Sequence, residues 1–182
     1  LSNALLVDGI DDYVSIPPLK FNSNTVTMSA WIKRNGAQND WAGIIFSRAN
    51  STVAGMSIMN SGELRYHWNA EAKTYDWSSG LIVPDNEWTF IALVIEPDKA
   101  TIYMNDTSVV NAVAHSMEEF DGNFEIGRDG ASSSRYFNGL IDEVCAWSTA
   151  RTAEQISLNK HHILRGNETS LIGYWRFNNA TG

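Results

Sequence analysis

A single cysteine, Cys145, stands among the 182 residues, so no disulfide can close within this chain. It lies between Val144 and Ala146 in an apolar run, where an inert buried thiol is the reading to prefer over a nucleophile. Cysteine usage therefore does not fix a compartment. Basic side chains are also few, 13 Lys and Arg against 21 Asp and Glu, which leaves a formal charge of −8 and a pI near 4.9. Nucleic-acid and anionic-membrane binding need clustered Lys and Arg, so both are excluded as leading functions. No apolar run approaches the ~20 residues of a membrane-spanning helix, and the first residues do not form a signal peptide. His-Glu-x-x-His, Gly-x-Ser-x-Gly, glycine-rich phosphate loops, low-complexity tracts and internal repeats are all missing.

What is present describes a globule. Hydrophobic residues make up 43% and charged residues only 19%, enough apolar side chain for one core in a chain of single-domain length. Leu1 enters a strand-like run almost at once, and Asn178-Asn179-Ala180-Thr181-Gly182 trails off without a stop. Residues 1–182 thus read as one domain cut from a longer protein. Short β-type runs separated by Gly, Asn, Asp and Pro cover most of the chain: 4–7, 13–16, 25–33, 43–48, 55–59, 63–69, 88–96, 100–104, 109–112, 124–127, 136–147 and 171–177. In 25–33, Val26, Met28, Ala30 and Ile32 share one face and Trp31 takes the other; in 63–69, Leu64, Tyr66 and Trp68 alternate with Arg65, His67 and Asn69. The run 88–96 is too continuously apolar for a half-exposed strand and is placed centrally. Thr152-Ala153-Glu154-Gln155 fits a capping box and predicts one short helix over 153–161, near the C-terminus. Strands recurring at this spacing predict an all-β sandwich or barrel.

Several of these strings together resemble a known family. Ala4-Leu5-Leu6-Val7-Asp8-Gly9-Ile10-Asp11-Asp12-Tyr13-Val14, then Thr27-Met28-Ser29-Ala30-Trp31-Ile32-Lys33, Glu87-Trp88-Thr89-Phe90-Ile91-Ala92 and Tyr103-Met104-Asn105-Asp106 come in order. Phe137-Asn138-Gly139-Leu140-Ile141-Asp142-Glu143-Val144 is the closest match, and Gly173-Tyr174-Trp175-Arg176-Phe177 closes the series. The chain so resembles the laminin-G-like jelly-roll domains of the concanavalin A-like lectin and glucanase superfamily. The resemblance implies two antiparallel sheets in a jelly-roll sandwich, a concave face that often carries ligand, and residues 8–12 near 141–143. Lectins, carbohydrate-binding modules, adhesion modules and glycosidases share this fold, so function must come from the site.

Three constellations are candidates. Asp8, Asp11 and Asp142 would, on the family pattern, hold a structural Ca²⁺ where the first strands meet the Ile-Asp-Glu strand; the alternative is that Asp8 and Asp11 only shape a turn and Asp142 caps loop N–H groups. Glycosidase chemistry needs paired carboxyls across the substrate. The nearest string, Glu96-Pro97-Asp98-Lys99-Ala100-Thr101, lacks the last acid and carries a proline, so the chain is read as no enzyme. His161 and His162 are adjacent and cannot share one helix face, which leaves them as surface residues.

The seven Trp divide by context. Trp31, Trp68, Trp88, Trp147 and Trp175 stand in strands and read as packing. Trp41 and Trp77 stand in polar loops. Trp77 with Tyr75 and Asp76, then Trp41, with Arg65 and His67 as polar partners, form the candidate carbohydrate-binding set; the alternative makes the two loop Trp lids over the sandwich edge. The polar loop 132–136 is a further candidate or a plain turn. The leading expectation is a non-catalytic carbohydrate-binding module of a secreted or cell-surface protein, its partners a glycan and other domains of the same chain. A protein-interaction or adhesion module, or a structural spacer, is the alternative.

Overall fold

The computed structural model describes residues 3–49 and 52–178. In chain order its elements are β1 (Leu5–Asp8), β2 (Val14–Ile16), β3 (Val26–Arg34), β4 (Ala42–Ala49), β5 (Thr52–Ile58), β6 (Leu64–Trp68), α1 (Ala72–Tyr75), β7 (Thr89–Glu96), β8 (Lys99–Met104), β9 (Thr107–Asn111), β10 (Asn123–Ile126), β11 (Asn138–Trp147), α2 (Ala153–His161) and β12 (Leu171–Trp175). A seven-stranded sheet runs β1-β11-β3-β7-β8-β9, with β12 also on β11, and a five-stranded sheet runs β2-β10-β4-β5-β6. Every strand pairing is antiparallel. The two sheets make the expected jelly-roll sandwich, each giving one apolar face to a shared core.

Strand alternation decides what each side chain meets. Val26, Met28, Ala30 and Ile32 of β3 and Ile91, Leu93 and Ile95 of β7 enter the main core, facing Ala54, Met56 and Ile58 of β5 and Leu64, Tyr66 and Trp68 of β6. The opposite face of β7, made of Phe90, Ala92 and Val94, packs with Trp31 under Ile156 of α2. A strand covered on both faces has no polar stripe to show, which explains the unbroken apolar run. Thr152 and Gln155 form the capping box at the head of α2. The short α1 has no sequence forerunner; Thr74 inside it donates its hydroxyl to the Glu71 carbonyl.

The register at β11 corrects one expectation. Leu5 pairs with Ile141 and Asp8 with Asn138, so the 8–12 turn lies beside Asn138 and not beside 141–143. Position 142 is four residues further along β11, about 13 Å at strand rise. β1 covers 138–141 of β11 and β12 covers 144–147; a bulge, with Glu143 at φ 50°, falls where one partner strand gives way to the other.

Glu118 gives a stability prediction. It has 1% of its surface exposed, and its carboxylate accepts the Val53 N–H at 2.9 Å. Burial pushes its carboxyl from an ordinary 4.5 up to about 7. The folded state therefore holds a proton that the unfolded state has lost between those values, and this residue's contribution falls as pH rises through that window. Glu118→Gln keeps an acceptor for Val53 without the charge. It is expected to raise stability at pH 8 by up to about 3 kcal/mol and to leave it little changed at pH 4, read from urea unfolding at both pH values.

Candidate functional site

The outward face of β4, β5 and β6 gathers side chains from four separate parts of the chain. Because Leu64, Tyr66 and Trp68 turn inward, Arg65 and His67 turn out. Phe46 faces outward from β4 over Gly55 of β5, where a Cβ would lie 2.7 Å from the Phe46 ring. Trp41 precedes β4 with φ 62°, a left-handed conformation that costs a bulky residue free energy and that the surrounding packing must hold. Tyr75 comes from the end of α1. Ring centroids lie 5.2 Å apart for Trp41 and His67, 6.2 Å for Trp41 and Tyr75, 5.7 Å for His67 and Tyr75, and 5.1 Å for Phe46 and His67.

These rings bury His67 to 5% exposure, where the alternation had suggested a solvated face. The sequence pattern places the residue on the correct face but cannot show that three rings close over it. Burial moves the imidazole from 6.5 down to about 4, so it is neutral near pH 7; its Nε2 has no hydrogen-bond partner.

Charge surrounds the rings. Asp129, with no exposed surface, accepts Arg48 Nε at 2.6 Å and Nη2 at 3.0 Å, and Arg135 Nη1 at 2.7 Å. Burial alone would raise this carboxyl, but the hydrogen bonds and charge of Arg48, and then Arg135, hold it below its ordinary value. Glu63 accepts Arg65 Nε at 3.1 Å and Nη2 at 2.8 Å, together with the Ser78 hydroxyl. The guanidinium carbons of Arg65 and Arg135 lie 6.0 and 5.9 Å from the Trp41 ring centroid, at the outer limit of cation–π contact. Arg128 lies over Tyr13 at 4.5 Å and Tyr136 at 5.5 Å. Gly43 makes this arrangement accessible to the 128–135 loop: a Cβ there would sit 2.2 Å from the backbone of Arg128 and Asp129, and the Gly43 N–H bonds the Arg135 carbonyl at 3.0 Å.

Of the six carbohydrate candidates, Trp41, Tyr75, Arg65 and His67 come together on this face. Asp76 is exposed beside it, its carbonyl accepting Arg65 Nη1 at 3.2 Å. Trp77 does not join them. Its indole packs edge-on against Tyr66, 5.9 Å between centroids, as part of the rim of the main core. Sequence reasoning missed Arg48, Phe46 and Asp129. The Arg48–Asp129 pair spans 81 residues and leaves no local pattern, whereas Arg135 lies in the polar 132–136 loop already singled out.

The metal set divides in the same way. Carboxylate oxygens of Asp8, Asp11 and Asp12 lie within 4.8 Å of one another, all exposed. Asp8 Oδ1 accepts the N–H of Ile10 at 2.8 Å and of Asp11 at 3.3 Å, and the Ile10 bond leads in holding its carboxyl below the ordinary value. Asp142 cannot join that set, because the β1–β11 register puts it beyond the far end of the strand pair. It is fully buried; one oxygen accepts the Glu143 N–H at 2.8 Å, the other has no partner, and burial raises its carboxyl to about 6.

Comparison with known proteins follows the fold. The profile of a family described as the concanavalin A-like lectin/glucanases superfamily matches residues 8–157. Comparison with curated proteins finds no match. Among solved structures, a putative carbohydrate binding protein from Bacteroides ovatus is similar with a TM-score of 0.75 and 20% identity over 96% of this chain and 50% of its own. Domain 4 of an extracellular arabinanase from Geobacillus stearothermophilus, solved with arabinotriose, gives 0.65 and 19% over 86% and 75%. A pentraxin from Limulus polyphemus gives 0.58 and 19% over 83% and 82%. At these identities the likeness is one of fold.

Proposed function

The chain belongs to the concanavalin A-like lectin/glucanase superfamily, and within it we propose that this domain is a non-catalytic carbohydrate-binding module whose site is the outer face of β4–β6. The observation that carries this reading is the convergence of two half-buried rings, Trp41 and Tyr75, with Arg65, Arg48 and Arg135 around them. Aromatic faces offer apolar surface to the C–H side of a sugar ring, and guanidiniums donate to its hydroxyls. A non-catalytic role is supported by the state of the two buried carboxylates on this face. Glu63 and Asp129 are both tied up by guanidiniums, so neither is placed as a free acid or nucleophile across a substrate. Retention of the domain on immobilised polysaccharides, compared with Trp41→Ala, tests the reading; no retention on any glycan would end it.

The domain would serve a secreted or cell-surface parent protein, bringing its other domains to a glycan. Among the described residues no helix is long and apolar enough to cross a membrane. The proposal also includes a structural Ca²⁺ at Asp8, Asp11 and Asp12. Three carboxylates on one turn, with no ion pair to them among the described residues, suit a hard cation that takes oxygen ligands. Calcium at one hundred times Kd would add about 2.7 kcal/mol, about 5–10 °C in Tm. That shift should vanish with EDTA and in Asp11→Asn; a Tm indifferent to calcium in scanning calorimetry removes the ion from the reading.

A further inference from the structure

The charges on the β4–β6 face are layered. Three guanidiniums, Arg48, Arg65 and Arg135, keep 22%, 16% and 26% of their side-chain surface, whereas the carboxylates they contact, Asp129 and Glu63, keep 0% and 11%. A ligand arriving at Trp41 and Tyr75 therefore meets the cations first, with the anions beneath them. Nor do the two layers balance. Glu63 answers Arg65, but Asp129 is shared between Arg48 and Arg135, and the buried His67 between the rings is neutral near pH 7. The flanking Arg128 is matched by Glu125 at 3.6 Å, and the exposed Asp76 lies beside Arg65, so the unanswered cation is the one at the Arg48–Asp129–Arg135 group. The outcome is a surplus cation where Arg48 and Arg135 share Asp129, on a chain with a formal charge of −8, which neutral hydroxyls do not require.

Resting on the reading of this face as a glycan site, we propose that its ligands are acidic polysaccharides bearing carboxylated sugars, with Arg135 as the group that receives the carboxylate. Arg135 holds Asp129 through one nitrogen, Nη1, where Arg48 uses two. It also lies 5.9 Å from the Trp41 ring centroid, beside the surface on which a sugar would stack. A guanidinium presents a planar fork that matches a carboxylate in two parallel hydrogen bonds, a geometry that a lysine ammonium cannot reproduce. The overall negative charge of the chain would slow the approach of such a polymer at low salt, so selectivity must come from contacts made at the patch.

The test uses the whole chain and matched polymers. Polygalacturonate, alginate and a glucuronan are each compared with their carboxyl-reduced, neutral counterparts by affinity electrophoresis and calorimetry. At least one acidic form is expected to bind about tenfold more tightly than its neutral counterpart, with the advantage shrinking at high salt. Arg135→Gln should bring that ratio close to one. Arg135→Lys, which retains the charge and guards against a folding defect, should lower it without loss of Tm. Equal or tighter binding of the neutral forms overturns the proposal, as does an unchanged ratio in both variants. If only neutral glycans are retained, and Trp41→Ala removes that retention, the carboxylate preference fails and the glycan site stands. If nothing is retained, acidic or neutral, the glycan site fails as well.

Discussion

Trp41→Ala is expected to abolish retention on glycans while leaving Tm within a few degrees, and Trp77→Ala to lower Tm sharply while leaving any glycan affinity of the folded fraction intact. The two residues look alike in the sequence, each a Trp in a polar loop. The sheet separates them. Trp41 stands on the outward face of β4–β6 with guanidiniums beside its ring, whereas Trp77 packs on Tyr66 at the rim of the main core. An aromatic anchor at a binding site typically contributes at least about 2 kcal/mol, roughly thirtyfold in Kd. Truncating a partly buried Trp on the core side should cost about 2–4 kcal/mol of stability. Trp41→Gly sharpens the contrast, because glycine adopts the φ of 62° at this position without strain. That variant should lose binding and recover part of the stability that losing the indole removes. Titration on polysaccharide gels together with calorimetric melting of all three variants decides the matter. Binding lost in Trp77→Ala and kept in Trp41→Ala would place the site on the wrong side of the sheet.

The same contrast shows what sequence can and cannot carry. Alternation in 64–68 was legible because strand geometry sends neighbours to opposite faces whatever the surroundings, so Leu64, Tyr66 and Trp68 inside and Arg65 outside followed directly. The α2 boundaries were legible because the capping box is local chemistry between Thr152 and Gln155. His67 was placed on the right face but with the wrong exposure, since the rings that cover it come from 41, 46 and 75. Trp77 failed for the opposite reason: its polar neighbours in sequence say nothing of Tyr66, eleven positions back, to which the chain returns. Asp142 went astray by register alone, for the resemblance named the strand pair but not which residue faces which. Asp129, on which the charge of the whole face depends, sat in an ordinary Asp-Gly turn.

Asp129→Ala is the substitution expected to damage the protein most. Its carboxylate has no exposed surface and binds two guanidiniums, each about one quarter exposed. Removing it leaves Arg48 and Arg135 facing each other over a partly buried gap, and breaking such a pair from one side costs about 3–5 kcal/mol. The loss should be largest near pH 7. Because Asp129 is held below its ordinary value when folded, its contribution is complete above the carboxylate range and fades as pH falls through that range. His67 adds to the acid sensitivity of the same face. It is neutral when folded, and its pKa near 4 lies below the unfolded 6.5, so the unfolded state binds more protons in between and stability is lost as pH drops through that window. In wild type the two effects act in sequence, His67 first and Asp129 at lower pH. In Asp129→Ala only the His67 part of these two should remain, and it should extend to lower pH, since Asp129 is the charge that most favours the imidazolium and its loss lowers the folded imidazole further. Urea unfolding between pH 3 and pH 8 separates the curves. A variant as stable as wild type at pH 7 would mean that Arg48 and Arg135 find water or new partners at no cost, and that the carboxylate is not what holds the 128–135 loop against β4.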